Sequence, residues 1–179
     1  MRMLIEASLV SLDGVVEAPW EWTGDLFDEE SKRHSLAQLE RADLFLLGRV
    51  TYEAFVATWP KIEGEPYFDR INAMRKLVVS TTLRNPGWNA AVLDRDVAER
   101  LAELKRQPGG DIVKYGNGAL TRTLLAHRLI DELHLSIVPV VVGRGRHLFD
   151  GIDVGGLGFS LAGTHASASG IVTLTYVPR

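Results

Sequence analysis

The sequence predicts an α/β domain of three layers, in which helices cover both faces of a mainly parallel sheet. Three observations support this fold class. Apolar, strand-like runs alternate with helical periodicity over most of the length, as in parallel strands joined by crossover helices. The last two apolar runs follow each other across Ala168-Ser169-Gly170, which indicates an antiparallel C-terminal edge. The chain of 179 residues, 46% of them hydrophobic, has the size and composition of a single domain spanning residues 1–179.

The strands are predicted from short apolar runs that end at turn residues. The first run stops at Asp13-Gly14, and the second stops at Gly48. The run beginning at Glu132 is the longest, and we expect it to continue to Val142. The complete set of predicted strands is 4–12, 43–47, 76–80, 90–93, 111–115, 132–142, 159–166 and 171–177.

Helices are predicted where apolar residues recur every three to four positions. These segments are 26–42, 49–57, 96–106 and 119–129. Asp28 is expected to cap the first of them, because Asp is a favoured residue at a helix N-terminus. The stretch 17–24 is interpreted as a loop, and the polar stretch 63–70 as a turn-rich connection.

Composition excludes several function classes. The net charge of −3 gives no general surface for binding DNA or RNA. There are no cysteines, so disulfides and thiolate chemistry are excluded, and the histidines lack the spacing of a metal site. Glu6 and Asp13 interrupt the first apolar run too early for a signal peptide, and the run 137–143 is too short to span a bilayer. We therefore expect a cytoplasmic protein without metal, membrane or nucleic-acid partners.

Two glycine-marked helix starts are the candidate phosphate sites. Gly48-Arg49-Val50-Thr51 lies between a strand and a helix, where free N–H groups and the helix dipole favour an anion. Arg49 and Thr51 would add donors, although the same residues also fit a plain turn with a solvated Arg. The second start, Tyr115-Gly116-Asn117-Gly118-Ala119-Leu120, has Thr121 where a Rossmann motif has its third glycine. It is interpreted as a phosphate-binding turn of another type.

Two further segments offer polar groups. Ser80 and Thr81 end a predicted strand, and their hydroxyls suit a ribose 2′-phosphate or, alternatively, a capped loop. Gly143-Arg144-Gly145-Arg146 is basic and fits either an anion site or a solvated turn.

An aromatic loop region is the candidate substrate site. Its flat rings could enclose a planar heterocycle, with the core as the alternative location, above all for Trp59. The candidate rings are Trp20, Trp22, Phe27 and Trp59. Asp13 and Asp25 are the candidate acids for positioning or protonating a substrate, while Asp28 fits a cap better.

The ordered motifs of the chain resemble those of the dihydrofolate reductase-like superfamily. The most specific are Gly48-Arg49-Val50-Thr51-Tyr52-Glu53, Tyr115-Gly116-Asn117-Gly118, Asp131-Glu132-Leu133 and the segment from Pro139 to Phe149. Within that superfamily the chain is similar to the C-terminal reductase domain of the riboflavin-biosynthesis protein RibD, and especially to stand-alone members. The resemblance covers nearly the whole chain.

This resemblance implies a homodimeric reductase that transfers hydride from NADPH to a planar heterocycle. Gly48, Arg49 and Thr51 would bind phosphates, and Ser80 and Thr81 would hold the adenosine side. Tyr115, Gly116, Asn117, Gly118 and Leu120 would flank the pyrophosphate and the nicotinamide ribose. The riboflavin-pathway reductases usually carry a Lys after the Ser-x-Asp-Gly turn, where this chain has Val15 and Val16. The alternative is a non-catalytic module that binds NADPH or another small ligand and retains the fold.

Overall fold

The computed structural model describes all 179 residues. Eight strands form one sheet: β1 (Leu4–Ser11), β2 (Ala42–Gly48), β3 (Arg75–Val79), β4 (Ala90–Leu93), β5 (Asp111–Tyr115), β6 (Glu132–Val138), β7 (Phe159–Ala166) and β8 (Val172–Pro178). The six α-helices are α1 (Pro19–Trp22), α2 (Glu29–Glu40), α3 (Arg49–Val56), α4 (Pro66–Ala73), α5 (Val97–Arg106) and α6 (Ala119–Ala126). None of these helices has the length and apolar character needed to cross a bilayer.

The strand order across the sheet is β4-β3-β2-β5-β1-β6-β8-β7. The pairs from β4 to β6 are parallel, whereas β6–β8 and β8–β7 are antiparallel. The predicted fold class is therefore confirmed, including the antiparallel C-terminal edge. The parallel strands need helical crossovers, while the final strands can be joined by a tight turn at Ser167–Gly170.

Two apolar cores lie on the two faces of the sheet. The α6-side core includes Leu101 of α5 and Leu124 of α6, packed on strand residues such as Leu46. The α2-side core includes Leu39 of α2 and Tyr52 of α3, packed on Phe45 among others. Strand side chains alternate between the faces, so adjacent positions of β2 supply both cores.

The predicted cap of α2 is confirmed. Oδ1 of Asp28 accepts a hydrogen bond from the backbone N–H of Ser31 at 2.8 Å. Oδ2 of the same carboxylate accepts from the backbone N–H of Ser169 at 3.2 Å, which ties α2 to the β7–β8 turn. These bonds stabilise the carboxylate and lower the pKa of Asp28.

Three details of the sequence prediction were wrong. The stretch 63–70 was predicted as a connection, yet α4 begins within it at Pro66, a residue favoured in the first helical turn, and buries Tyr67 and Ile71. The stretch 17–24 contains the short helix α1. Strand β6 ends at Val138 rather than residue 142, because Pro139 cannot donate to a strand ladder.

Candidate nucleotide-binding site

The helices that follow neighbouring central strands leave toward opposite faces of the sheet. Helix α6, after β5, packs in the α6-side core, whereas α2 and α3, after β1 and β2, pack in the α2-side core. In open α/β sheets such a reversal opens a crevice at the carboxyl ends of the strands. The strands also separate there: β1 pairs with β5 only to Ala7↔Tyr115, but with β6 as far as Ser11↔Val138.

The two glycine turns meet in this crevice. We call Gly48-Arg49-Val50-Thr51 the first turn and Gly116-Asn117-Gly118 the second turn. A Cβ atom placed on Gly116 would lie 2.5 Å from Oγ1 of Thr51, and the φ angle of Gly116 is +82°. A side chain at position 116 is therefore excluded by both contact and backbone conformation. The peptide bond between Gly116 and Asn117 is trans.

The first turn is open to solvent. Gly48 is the N-cap residue of α3, no side chain caps the helix, and no atom lies within 4 Å of its potential Cβ position. Nε of Arg49 donates to Glu53 at 2.7 Å, and its Nη1 contacts Oγ1 of Thr82. The first turn is thereby connected to the loop that follows β3. The two segments are close because β2 and β3 are neighbouring parallel strands that end at the same edge of the sheet.

The two hydroxyls after β3 have different surroundings. Oγ of Ser80 is nearly buried and accepts hydrogen bonds from the N–H groups of Thr82 and Leu83, at 3.2 and 3.0 Å. The Ser80 hydroxyl therefore shapes its own loop. This corresponds to the capped loop that was the alternative to a contact with a ribose 2′-phosphate. Thr81 is exposed beside it, and its hydroxyl is not engaged by the protein.

The second turn lies on a buried polar group that sequence reasoning missed. Glu6 of β1 and Lys114 of β5 face each other across the strands and are both buried, with Oε2 and Nζ 3.0 Å apart. Oε1 of Glu6 accepts from the Thr121 hydroxyl at 2.8 Å. Burial lowers the pKa of Lys114, and the Glu6 carboxylate opposes that shift. The available signal was a charged residue inside each of two apolar runs, Glu6 in β1 and Lys114 in β5.

Arg146 stands beside the second turn, on the segment 143–149 that follows β6. Its Nη1 is 3.5 Å from Oδ1 of Asn117, and its Nη2 is 3.9 Å from the potential Cβ position of Gly118. No carboxylate side chain pairs with this guanidinium. It therefore adds unneutralised positive charge at the start of α6, which favours the anion-binding interpretation of 143–146.

Tyr115 and Leu120, which were predicted to contact the nucleotide at the second turn, direct their side chains into the protein. The Tyr115 ring packs edge-on against Phe45, and its hydroxyl is 3.3 Å from that of Tyr67 in the α2-side core. Burial raises the pKa of Tyr115 to about 12. The Leu120 side chain is buried in the α6-side core. These side chains thus support the turn from inside, and only their backbone atoms remain as candidate ligand contacts.

The carboxylate of Asp13 is occupied by the protein. Its Oδ1 accepts from the Ser11 hydroxyl at 2.6 Å and from the N–H of Val142 at 3.0 Å, and its Oδ2 accepts from the N–H of Gly143 at 2.7 Å. These donors hold the pKa of Asp13 well below its usual range. Of the two roles expected for Asp13, this environment favours positioning over protonation, because it anchors the segment that carries Arg146.

The aromatic candidates do not form one open cage. Trp59 stacks on Phe55 with ring centroids 3.7 Å apart, and Phe27 packs edge-on against Tyr67, so both rings lie at the margin of the α2-side core. The indole N–H of Trp22 donates to the Glu17 carbonyl at 2.8 Å. Trp20 keeps 53% of its surface exposed, and Asp25 is also exposed.

An opening lies on the α2 side of the central strands. Ile5, Ala7 and Leu9 share that face of β1 by alternation. Ile5 is fully buried, but Ala7 and Leu9 are partly exposed, at the point where β1 loses its pairing with β5 and keeps only β6. Ser136, the partner of Leu9 on β6, is partly exposed as well. A predominantly apolar floor is therefore accessible next to the second turn.

A cavity of about 490 Å³ lies at the other end of the strands. Its lining includes the first residues of β3 and β4 together with Trp88. The buried Lys76 beside it donates to the carbonyls of Asn72 and Met74, at 2.9 and 2.8 Å, and lies over the Trp88 ring. These contacts satisfy Lys76 within the protein. Because the cavity lies at the opposite end of the strands, it does not contribute to the crevice.

The sheet order, the flanking helices and the crevice define the class of dihydrofolate reductase-like folds. Dihydrofolate reductase from Enterococcus faecalis, solved with NADP(H), superposes with a TM-score of 0.62 at 16% identity and covers 99% of this chain and 96% of its own. A protein from Shewanella sp. PV-4 assigned to riboflavin biosynthesis gives a TM-score of 0.77 at 20% identity, with 100% and 99% covered.

The family follows from the sequence. The RibD C-terminal domain family matches residues 2–173, and this chain belongs to it. Protein YyaP of Bacillus subtilis strain 168 is 32% identical over 143 residues, which cover 77% of this chain and 75% of that protein. The predicted resemblance is confirmed.

Proposed function

We propose that this chain is an NADPH-dependent reductase that acts on a planar heterocycle, of the type reduced in riboflavin biosynthesis or by dihydrofolate reductase. The observation that carries the proposal is the contact between the first and second turns, at Thr51 and Gly116. It brings two helix N-termini to one point of the crevice, where a pyrophosphate would find N–H donors from both. Membership of the RibD C-terminal domain family supports the same assignment.

The residues of the crevice fit a phosphorylated dinucleotide. Arg146 brings unpaired positive charge to the second turn, whereas Arg49 is paired with Glu53 and Lys114 with Glu6. Thr81 lies at the next strand end, beside the contact of Arg49 with Thr82, where it would meet a ribose 2′-phosphate. The remaining length of the crevice runs past the second turn to β1, which would receive the nicotinamide.

Bound NADPH would supply the hydride, and the chain would align the acceptor ring and exclude water. The opening over Ala7 and Leu9 offers an apolar surface for such a ring, and Trp20 is an exposed ring that contacts Phe55 of α3 edge-on. Val15 and Val16 are buried, and they stand where the riboflavin-pathway reductases usually carry a Lys. Val16 belongs to the α6-side core and does not line the opening, so it is the missing cation that favours an uncharged pterin or pyrimidine over a ribose-phosphate substrate.

The exposed Asp25 is the candidate proton donor, and Asp13 is the positioning acid. Asp13 holds Val142 and Gly143 by their N–H groups, so it fixes the wall that carries Arg146. Replacement of Asp25 by Asn should lower turnover and leave NADPH affinity unchanged if Asp25 delivers the proton.

A second candidate is a nucleotide-binding module without turnover. It is favoured by one observation, which is that Asp13, the carboxylate after β1, is fully occupied by hydrogen-bond donors. Such a module would bind NADPH through the same two turns and would reduce no pterin or pyrimidine.

Fluorescence titration with NADPH and NADH, followed by turnover assays on pterins and pyrimidines, tests both candidates. The reductase proposal requires NADPH binding that is tighter than NADH binding, and oxidation of NADPH with at least one heterocycle. Binding without oxidation would favour the module, and no binding at millimolar NADPH would refute both. Homodimerisation and cytoplasmic residence stay predictions, and light scattering that detects only monomer would contradict the first.

A further inference from the structure

The second turn is held from beneath at each of its three residues. Nζ of Lys114 donates to the carbonyl of Gly116 at 2.5 Å. Nδ2 of Asn117 donates to Oε1 of Glu6 at 3.3 Å, and the N–H of Gly118 donates to Oγ1 of Thr121 at 3.2 Å. The three supporting side chains are themselves joined, because the Thr121 hydroxyl also contacts Glu6 and Lys114.

We propose that Glu6, Lys114 and Thr121 are positioning residues that hold the second turn in its phosphate-binding conformation before a ligand arrives. This inference rests on the proposed function, because it assigns the turn to nucleotide phosphate. The three residues lie beneath the turn, and they act on the ligand through the backbone and through Asn117.

Stability alone does not account for a buried ion pair at this place. Desolvating two charges costs several kcal/mol, and an apolar pair of similar volume is often as stable. Two residues earlier in the same two strands, farther from the crevice, Leu4 lies opposite Ile112. An apolar pair is therefore accommodated on this face of the sheet. The ionic pair stands where β5 is about to end, and its polar contacts are all with the turn or the helix that follows it.

The supported conformation is one that the chain would not maintain unaided. Gly116 is in the left-handed region, and its contact with Thr51 leaves no room for a shift toward α3. A free glycine-containing turn samples many conformations, and fixing them costs conformational entropy on binding. Contacts already made in the free protein remove that cost from the binding step.

The same contacts direct the remaining polar groups outward. Because Nδ2 of Asn117 is bound to Glu6, Oδ1 faces Arg146 at 3.5 Å, a long contact that leaves the guanidinium free to move onto a phosphate. The first-turn N–H groups of α6 have no side-chain cap. The inward side of the turn is thus satisfied by protein, and the outward side is available to an anion.

Thr121→Val tests the proposal, because it keeps the side-chain shape and removes the hydroxyl. We expect NADPH to bind about tenfold more weakly, the equivalent of one hydrogen bond to a charged group. Thr121→Ser restores the hydroxyl and should restore the affinity. Thr123→Val is the matched control on the same helix, since its hydroxyl bonds only the Ala119 carbonyl, and it should bind NADPH like the wild type.

Hydrogen exchange of the amides 116–118, measured without nucleotide, separates this proposal from the proposed function. Thr121→Val should exchange faster there than the wild type and Thr123→Val, even if no variant binds NADPH. A folded Thr121→Val protein with wild-type exchange and wild-type affinity would overturn the positioning role. Should that variant unfold, Glu6→Gln, which keeps the shape and removes the charge opposite Lys114, must show the same two changes, and their absence overturns the proposal equally.

Discussion

The first and second turns occupy neighbouring strand ends, yet they are built in opposite ways. The first turn is open: Gly48 has free space on its side-chain side, and Arg49 is half-exposed between Glu53 and Thr82. The second turn is enclosed: Gly116 touches Thr51, and Lys114 and Glu6 hold it from within the sheet.

The difference shows how one candidate ligand site can combine a turn that is held in place with a turn that has free space. In the proposed site, a rigid second turn would fix where a pyrophosphate lies, and a first turn with free space would accept it without reorganising the core. Affinity should therefore depend on the shape of the second turn and on the charges around both turns. Two substitutions, each with a counterpart at the other turn or on the same segment, and one comparison over pH can break or sharpen this contrast.

The largest effect is expected for Gly116→Ala. The new methyl group would meet Thr51 in a left-handed backbone, so the free energy of unfolding should fall by about 2 kcal/mol or more. NADPH affinity should fall by about a hundredfold or more, because the turn must move away from the phosphate. Gly48→Ala is the counterpart, and thermal unfolding should show little change for it. Equal losses of stability in the two variants would contradict the contrast.

An intermediate effect is expected for Arg146→Ala. Loss of an unpaired guanidinium beside a phosphate should weaken NADPH binding by about ten- to a hundredfold, and should reduce the salt dependence of binding. Arg49→Ala should cost less, because Glu53 already neutralises Arg49. Titrations at two salt concentrations measure both quantities. Arg144→Ala, two residues away and exposed, is the control, and an effect as large as that of Arg146→Ala would refute a specific role.

The smallest effect is expected from acid acting on Asp13. Its pKa in the folded protein is below the ordinary value of 3.8, so its contribution to stability is present above that pH and is lost as the pH falls through the folded pKa. In Asp13→Asn this contribution is absent at every pH. Urea unfolding between about pH 6 and pH 3 should therefore show a steeper acid loss for the wild type. Parallel curves for the two proteins would show that the carboxylate does not anchor 142–143 by its charge.

The fold was predictable because it depends on local signals. Strands that stop before Asp13-Gly14 or at Gly48, and helices with apolar spacing, can be recognised in short stretches of sequence. The start of α4 was missed because its apolar residues Tyr67, Phe68 and Ile71 stand among Glu, Asp and Arg, and the polar residues dominated the interpretation. The end of β6 was missed although Pro139 marks it.

The site was predictable only in outline. The two turns were found from their glycines, but nothing local pairs Glu6 with Lys114, which are distant in sequence and meet only through the β1–β5 register. Likewise, no local pattern indicates that the Ser80 oxygen is used by its own loop or that the Tyr115 ring turns inward. These outcomes depend on which face of a strand a helix covers, and that is a property of the whole sheet.

The spread of the site along the chain has a consequence for folding. Glu6 lies in the first strand and Arg146 follows the sixth, so the proposed phosphate site exists only after β1, β5 and β6 have assembled with the second turn. A nucleotide that bound such a site would recognise the folded chain alone, and by mass action it would raise the melting temperature by an amount that grows with the logarithm of its concentration divided by its Kd. A shift in melting temperature is therefore a direct report on assembly, and a fragment that lacks β1 or the 143–149 segment should give none.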